Sequence, residues 1–109
     1  VILDDLLNEI ERAVAKHGPL PIGVDPSVRL VGACAAAERV ARIATDQSPT
    51  WSALAVLVEE VGEAARAEDS AELRAELVQV AAVALRWAAQ LSGEDAGAAL
   101  RGRTFGGER

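Results

Sequence analysis

Large side chains are scarce in this chain: among 109 residues there are two Trp, one Phe, and no Tyr or Met. Half of the sequence is nonetheless hydrophobic, mostly Ala, Val and Leu. Small residues suit closely packed helices but bury little area each, so one copy offers a thin core and association is an effective way to cover more surface. The length allows one domain, residues 1–109, and is too short for two comfortable cores. Cys34 is the only cysteine. It excludes an intrachain disulfide, no Cys/His spacing suits zinc, and a reducing cytoplasm fits best. Cys34 itself reads as packing. No apolar run reaches about 18 residues, which argues against a membrane span, and the N-terminal acids stand where a signal peptide would carry basic residues. Cations are also few: 11 Lys and Arg face 17 Asp and Glu, a net charge of −6. That balance disfavours wrapping a duplex, which needs basic phosphate contacts. It is compatible with a cation-dependent protein, because clustered acids need counterions.

What is present is helical periodicity. In "LDDLLNEIERAVAKHG", Leu3, Leu6, Leu7, Ile10 and Val14 share one face of a helix that Gly18 and Pro19 stop. "PLPIGVDPSV" reads as a connector. A second helix is expected from about Ser27 to Ile43, with "GACAAA" small enough for close contact, followed by a loop "TDQSPT". Thr50 or Ser52 can cap a third helix running to about Ala67. "EDS" is a short turn, and a fourth helix runs from about Ala71 to Leu91; Ser70 with Leu73 completes no capping box there. A short helical piece is expected at 94–101, then a Gly-rich, mobile tail from about 102. No strand pattern of period two is sustained and no internal repeat stands out. The short link between the last two long helices implies an antiparallel hairpin, so the expected fold is all-α and four-helix-bundle-like, completed by oligomerisation.

The unusual feature is acid among apolar residues. At about 100° per residue, Glu60 and Glu63 lie about 60° apart on the third helix, in the same sector as Ala53, Val56, Ala64 and Ala67. Glu59 points elsewhere, into solvent. Gly62, inside the motif, reads as close helix packing rather than substrate contact. On the fourth helix Glu76 and Gln79 repeat the spacing beside Val80, Val83 and Trp87, with Glu72 one turn earlier. In a hairpin the two pairs converge. Burying several carboxylates uncompensated costs several kcal/mol per ion. Arg66, Arg74 and Arg86 are the nearby basic candidates, but Arg74 points away from Glu76. A hard divalent cation such as Mg²⁺, which takes oxygen ligands and binds through carboxylates together with substrate phosphates, answers the need better. The bland alternative is a solvated acidic face on a hairpin rotated from this arrangement.

"WSALAVLVEEVGEAARA" followed by "LRAELVQVAAVALRW" resembles the MazG-like, all-α nucleoside triphosphate pyrophosphatases, closely over about residues 51–87. The family pattern is E-x-x-E on one helix and E-x-x-D on the next. Here the first pair is Glu60 and Glu63; the second is Glu76 and, in place of Asp, Gln79. The resemblance implies a MazG-type fold and Mg²⁺, or Mn²⁺, held by Glu60, Glu63 and Glu76. Gln79 would be a weak or water-mediated fourth ligand, since an amide oxygen can still serve a hard cation but brings no charge. It implies cleavage between the α- and β-phosphates to give a monophosphate and pyrophosphate, a reaction suited to clearing non-standard or excess deoxynucleotides, with Glu60, Glu63 and Glu76 as the catalytic residues. One of them, or Glu59 through water, would accept the proton. It also implies a homodimer or homotetramer with sites near subunit boundaries.

Other residues carry weaker signals. Trp51 and Trp87 could stack on a nucleobase, yet core packing suits them better in a chain with so few large side chains. His17 sits at a helix end, where it interacts with the helix C-terminus. Lys16, Arg39 and Arg42 could meet phosphates, although exposed basic residues on helices usually do nothing so specific. Two other functions compete. One is a non-catalytic helical module binding a nucleotide or a partner protein, which Gln79 keeps open. The other, a carboxylate-bridged di-iron bundle, expects Glu-x-x-His pairs, and His17 lies in none.

Overall fold

A computed structural model describes residues 1–20, 28–47 and 52–102. The connector at 21–27, the alternative cap Thr50, Trp51 and the tail from 103 lie outside the described residues. Five helices follow one another: α1 (Ile2–His17), α2 (Val28–Gln47), α3 (Ala53–Ala65), α4 (Ser70–Leu91) and the short α5 (Ala96–Arg101). No strand occurs among the described residues, as the missing period-two pattern predicts. No helix among them is long and apolar enough to cross a membrane.

Helix ends follow from local chemistry. Asp4 and Asp5 occupy the first turn of α1, and Lys16 and His17 the last, each complementing the helix dipole. Gly18 stops α1 at φ 71°, in the left-handed region that glycine enters without a Cβ penalty. α2 runs four residues beyond the expected end at Ile43. Nothing in "ATDQ" breaks a helix, and the Thr45 hydroxyl donates to the Ala41 carbonyl at 3.0 Å, the i−4 bond open to a threonine inside a helix. Ser52 caps α3, its Oγ accepting from the Ala55 amide at 3.1 Å, so of the two expected caps Ser52 is the one seen.

The cap of α4 is Asp69. Its Oδ1 accepts from the Glu72 amide at 2.8 Å, and Asp69-x-x-Glu72 is the capping-box spacing one residue before the Ser70–Leu73 pair. At the other end, the Glu94 amide donates to the Ala89 carbonyl and the Gly93 amide to that of Gln90, with Gly93 at φ 73°. This is a Schellman stop, and only glycine takes that position without strain. Asp95 then caps α5 through the Ala98 amide at 2.8 Å.

The helices belong to two compact units, 1–22 with 85–109, and 23–84. In the first, α5 meets α1, and both Glu94 oxygens accept from the Ile2 amide at the start of α1, each at 3.1 Å. Leu3, Ala89 and Ala96 are buried there. Leu6, Leu7, Ile10 and Val14, the rest of the expected apolar face of α1, are exposed in the single chain. In the second unit α2 packs extensively against α3, with Ala41, Ala55 and Ala67 buried. The hairpin expected between α3 and α4 is thus not the main pairing: the close backbone neighbour of α3 is α2. Gly62 and the alanines let α2 and α3 approach, whereas long glutamates stand between α3 and α4. No large side chain among the described residues is fully buried, which is the thin core that the composition implied.

Candidate metal site

α3 and α4 are joined by four residues, 66–69, so the C-terminal part of α3 and the first turns of α4 stay near each other. Three carboxylates use that proximity. Glu60 and Glu63 project from successive turns of α3 and Glu76 from α4. One oxygen of each lies within 4.8 Å of the others, and all three are half-buried. The doubled spacing in the sequence therefore does bring three of its four members together. The fourth, Gln79, lies one turn further along α4 and is exposed.

The cluster is under electrostatic tension. Burial pushes the Glu60 carboxyl above its ordinary range, and the negative charges of Glu63, Glu76 and Glu59 push it further. Burial also raises Glu76, followed by the charge of Glu63, while Arg66 acts in the opposite sense. Glu60 Oε2, Glu76 Oε2 and Glu59 Oε1 are buried and have no hydrogen-bond partner. A buried carboxylate oxygen without a donor is costly. A hard cation satisfies such oxygens, so this all-carboxylate donor set fits Mg²⁺ or Mn²⁺. The helical wheel put Glu59 in solvent; in the structure it is half-buried. It sits at the edge of the apolar sector rather than opposite it.

Sequence reasoning missed Glu38. It lies on α2 and is 3% exposed, backed onto Gly62 of α3: a Cβ on that glycine would fall 2.6 Å from Glu38 Cβ. Glu38 Oε2 accepts from Arg42 Nη2 at 2.6 Å and from Arg66 Nη2 at 2.8 Å. Arg42 Nη2 also lies 3.9 Å from Glu63 Oε1. A buried acid therefore ties α2 to the end of α3 beside the glutamate trio. Its signal in the sequence was Glu38 four residues before Arg42, a helical ion-pair spacing that resembles any surface pair.

Lys16, His17 and Arg39 are exposed, and so are Arg74 and Arg86, while Trp87 and Cys34 are half-buried. No family model, curated protein or solved structure matches the chain.

The raised carboxyls set a pH dependence. Glu60 and Glu76 bind protons more tightly folded than unfolded, so their contribution is fully present below the ordinary carboxyl value of 4.5. It is lost as pH rises through their higher folded values. Urea midpoints measured in chelator are expected to fall as pH rises above 4.5 through the raised folded values, and Glu60→Gln is expected to flatten that slope. A midpoint that climbs steadily over the same interval in both proteins would contradict it.

Proposed function

We propose that this chain is a Mg²⁺-dependent nucleoside triphosphate pyrophosphohydrolase of the MazG-like kind, releasing pyrophosphate and a nucleoside monophosphate. The observation that carries the reading is the convergence of Glu60, Glu63 and Glu76 from two helices, two of them with a buried, partnerless oxygen. Glu60, Glu63 and Glu76 would hold the cation, which when bound neutralises phosphate charge and makes water more acidic. In the reaction the oxygen of water bonds to the α-phosphorus and the bond to the bridging oxygen breaks. Pyrophosphate leaves with that oxygen. One of these three glutamates, or Glu59 through water, would take the proton; Glu59 is supported by an Oε1 that is buried and free of donors. The backbone of α3 holds Glu59, Glu60 and Glu63 at fixed spacing, and Glu76 comes from α4.

One observation favours a second reading, a non-catalytic module that binds a nucleotide or a partner protein: Gln79 brings no charge to the position where the family pattern has an acid. A Mg²⁺ titration of the wild type and Gln79→Asp, following pyrophosphate from a panel of ribo- and deoxyribonucleoside triphosphates, separates the two. The pyrophosphohydrolase reading expects wild-type turnover, and tighter Mg²⁺ dependence with equal or higher turnover in Gln79→Asp. The second expects an inert wild type at every Mg²⁺ concentration.

The protein is proposed to act as a homodimer or a homotetramer. The support is the uncovered row of Leu6, Leu7, Ile10 and Val14 on α1 and the absence of any fully buried large side chain among the described residues. Light scattering at micromolar concentration is expected to give two or four copies, and Leu7→Glu with Ile10→Glu to give a smaller particle. A wild-type monomer at that concentration would contradict the assembly.

A further inference from the structure

Two half-exposed guanidiniums and one buried carboxylate beside the glutamate trio have no place in the reading so far. Arg42 and Arg66 come from different elements, the last third of α2 and the residue after α3, yet both donate to the same oxygen, Glu38 Oε2. Glu38 is 4% exposed as a side chain, whereas Arg42 and Arg66 are 48% and 52% exposed. Two like charges drawn to one point repel each other, and an arrangement made only to neutralise Glu38 needs one of them. Each guanidinium carries five N–H donors in a rigid fork. Glu38 takes one Nη2 hydrogen bond from each, and about half of each arginine side chain stays exposed. The pair also borders the acids: Arg42 reaches within 3.9 Å of Glu63 Oε1, and the charge of Arg66 is felt by Glu76.

Extending the pyrophosphohydrolase reading, and resting on it, we infer that Arg42 and Arg66, positioned by the buried Glu38, form a polyphosphate clamp next to the carboxylate trio. The clamp binds the phosphate oxygens of the substrate that become the pyrophosphate product. Forked, paired donors suit adjacent phosphoryl groups, which a single lysine serves only as a point charge. Glu38 is a positioning residue. It fixes both cations in one geometry, and it keeps them from collapsing onto Glu63 and Glu76 and occupying the place of a metal ion. The trio alone is three negative charges; a triphosphate approaching it meets repulsion that a metal ion offsets only in part, and the clamp supplies the remaining positive charge.

Binding measured by calorimetry, with Mn²⁺ alone and then with inorganic pyrophosphate in the presence of Ca²⁺, tests this in the full chain. Arg42→Gln and Arg66→Gln are each expected to weaken pyrophosphate binding by about tenfold or more, to raise KM for the triphosphate more than they lower kcat, and to leave Mn²⁺ affinity equal or tighter. Glu38→Gln is expected to weaken both pyrophosphate and Mn²⁺ binding, because the released arginines pair with Glu63 and Glu76. Arg74→Gln, exposed on α4, should change nothing. If Glu38→Gln fails to fold, the two exposed arginine variants decide. Pyrophosphate binding that survives both arginine changes, with Mn²⁺ bound normally, overturns the clamp and leaves the metal site standing. A wild type that binds no Mn²⁺ overturns the metal site, and with it the clamp.

Discussion

Glu63→Gln is expected to lower pyrophosphate release by about 100-fold or more, since even outer partners of a metal site are worth about 10- to 100-fold. Glu63 is the hinge of the cluster. It raises both Glu60 and Glu76 and is the trio member nearest a cation, Arg42. Its amide replacement keeps volume and one acceptor oxygen while removing a charge that would attract Mg²⁺. The fold should persist: in the absence of metal, taking away one of several crowded negative charges relieves repulsion. Initial rates with saturating nucleotide, with circular dichroism as the control for folding, measure this. Turnover unaffected by Glu63→Gln would defeat the site assignment.

Gly62→Ala is expected to lower stability by about 2–3 kcal/mol, against the usual direction. Alanine in a helix interior normally gains about 1 kcal/mol over glycine. Here its Cβ would lie 2.6 Å from Glu38 Cβ, 2.6 Å from Oε1 and 2.9 Å from Cγ. Those atoms are the root and tip of a buried side chain held by two arginines, so relief requires either parting α2 from α3 or breaking charge-assisted hydrogen bonds. Urea unfolding reads the outcome. A midpoint equal to or above wild type would mean that Glu38 moves aside freely, contrary to its anchoring. If the clamp is right, the same substitution should also disturb polyphosphate binding through Glu38.

The helices and the trio were legible in the sequence because both are periodic. Spacing of three places Glu60 and Glu63 on one face whatever the tertiary context, and a four-residue link brings Glu76 near them. What was hidden depends on neighbours distant in sequence. Glu38 and Arg42 read as an ordinary surface pair until Arg66, 28 residues from Glu38, closes over them. The choice of α2 rather than α4 as the close partner of α3 rests on how Gly62 meets one side chain, which no period encodes. Glu59 was misplaced although it stands four positions before Glu63, an angle of about 40° on the wheel that already sets it beside the apolar sector. Asp69 was a missed local signal: the D-x-x-E box lay one residue upstream of the pair considered.

The division of the helices between two units has a consequence for how the molecule holds itself together. Every residue of the trio and of the Glu38 network lies between positions 38 and 76, inside the continuous segment 23–84, whereas the other unit joins residues far apart in the chain. Contacts within the continuous segment close short loops and form quickly; those joining the ends close a long one and form slowly. α4 belongs to both, its first part to the acids and its last turns to α1 and α5. One unbroken helix thus has residues in both units. Hydrogen exchange is expected to be faster in the turns of α4 after Leu85 than in the turn that carries Glu76.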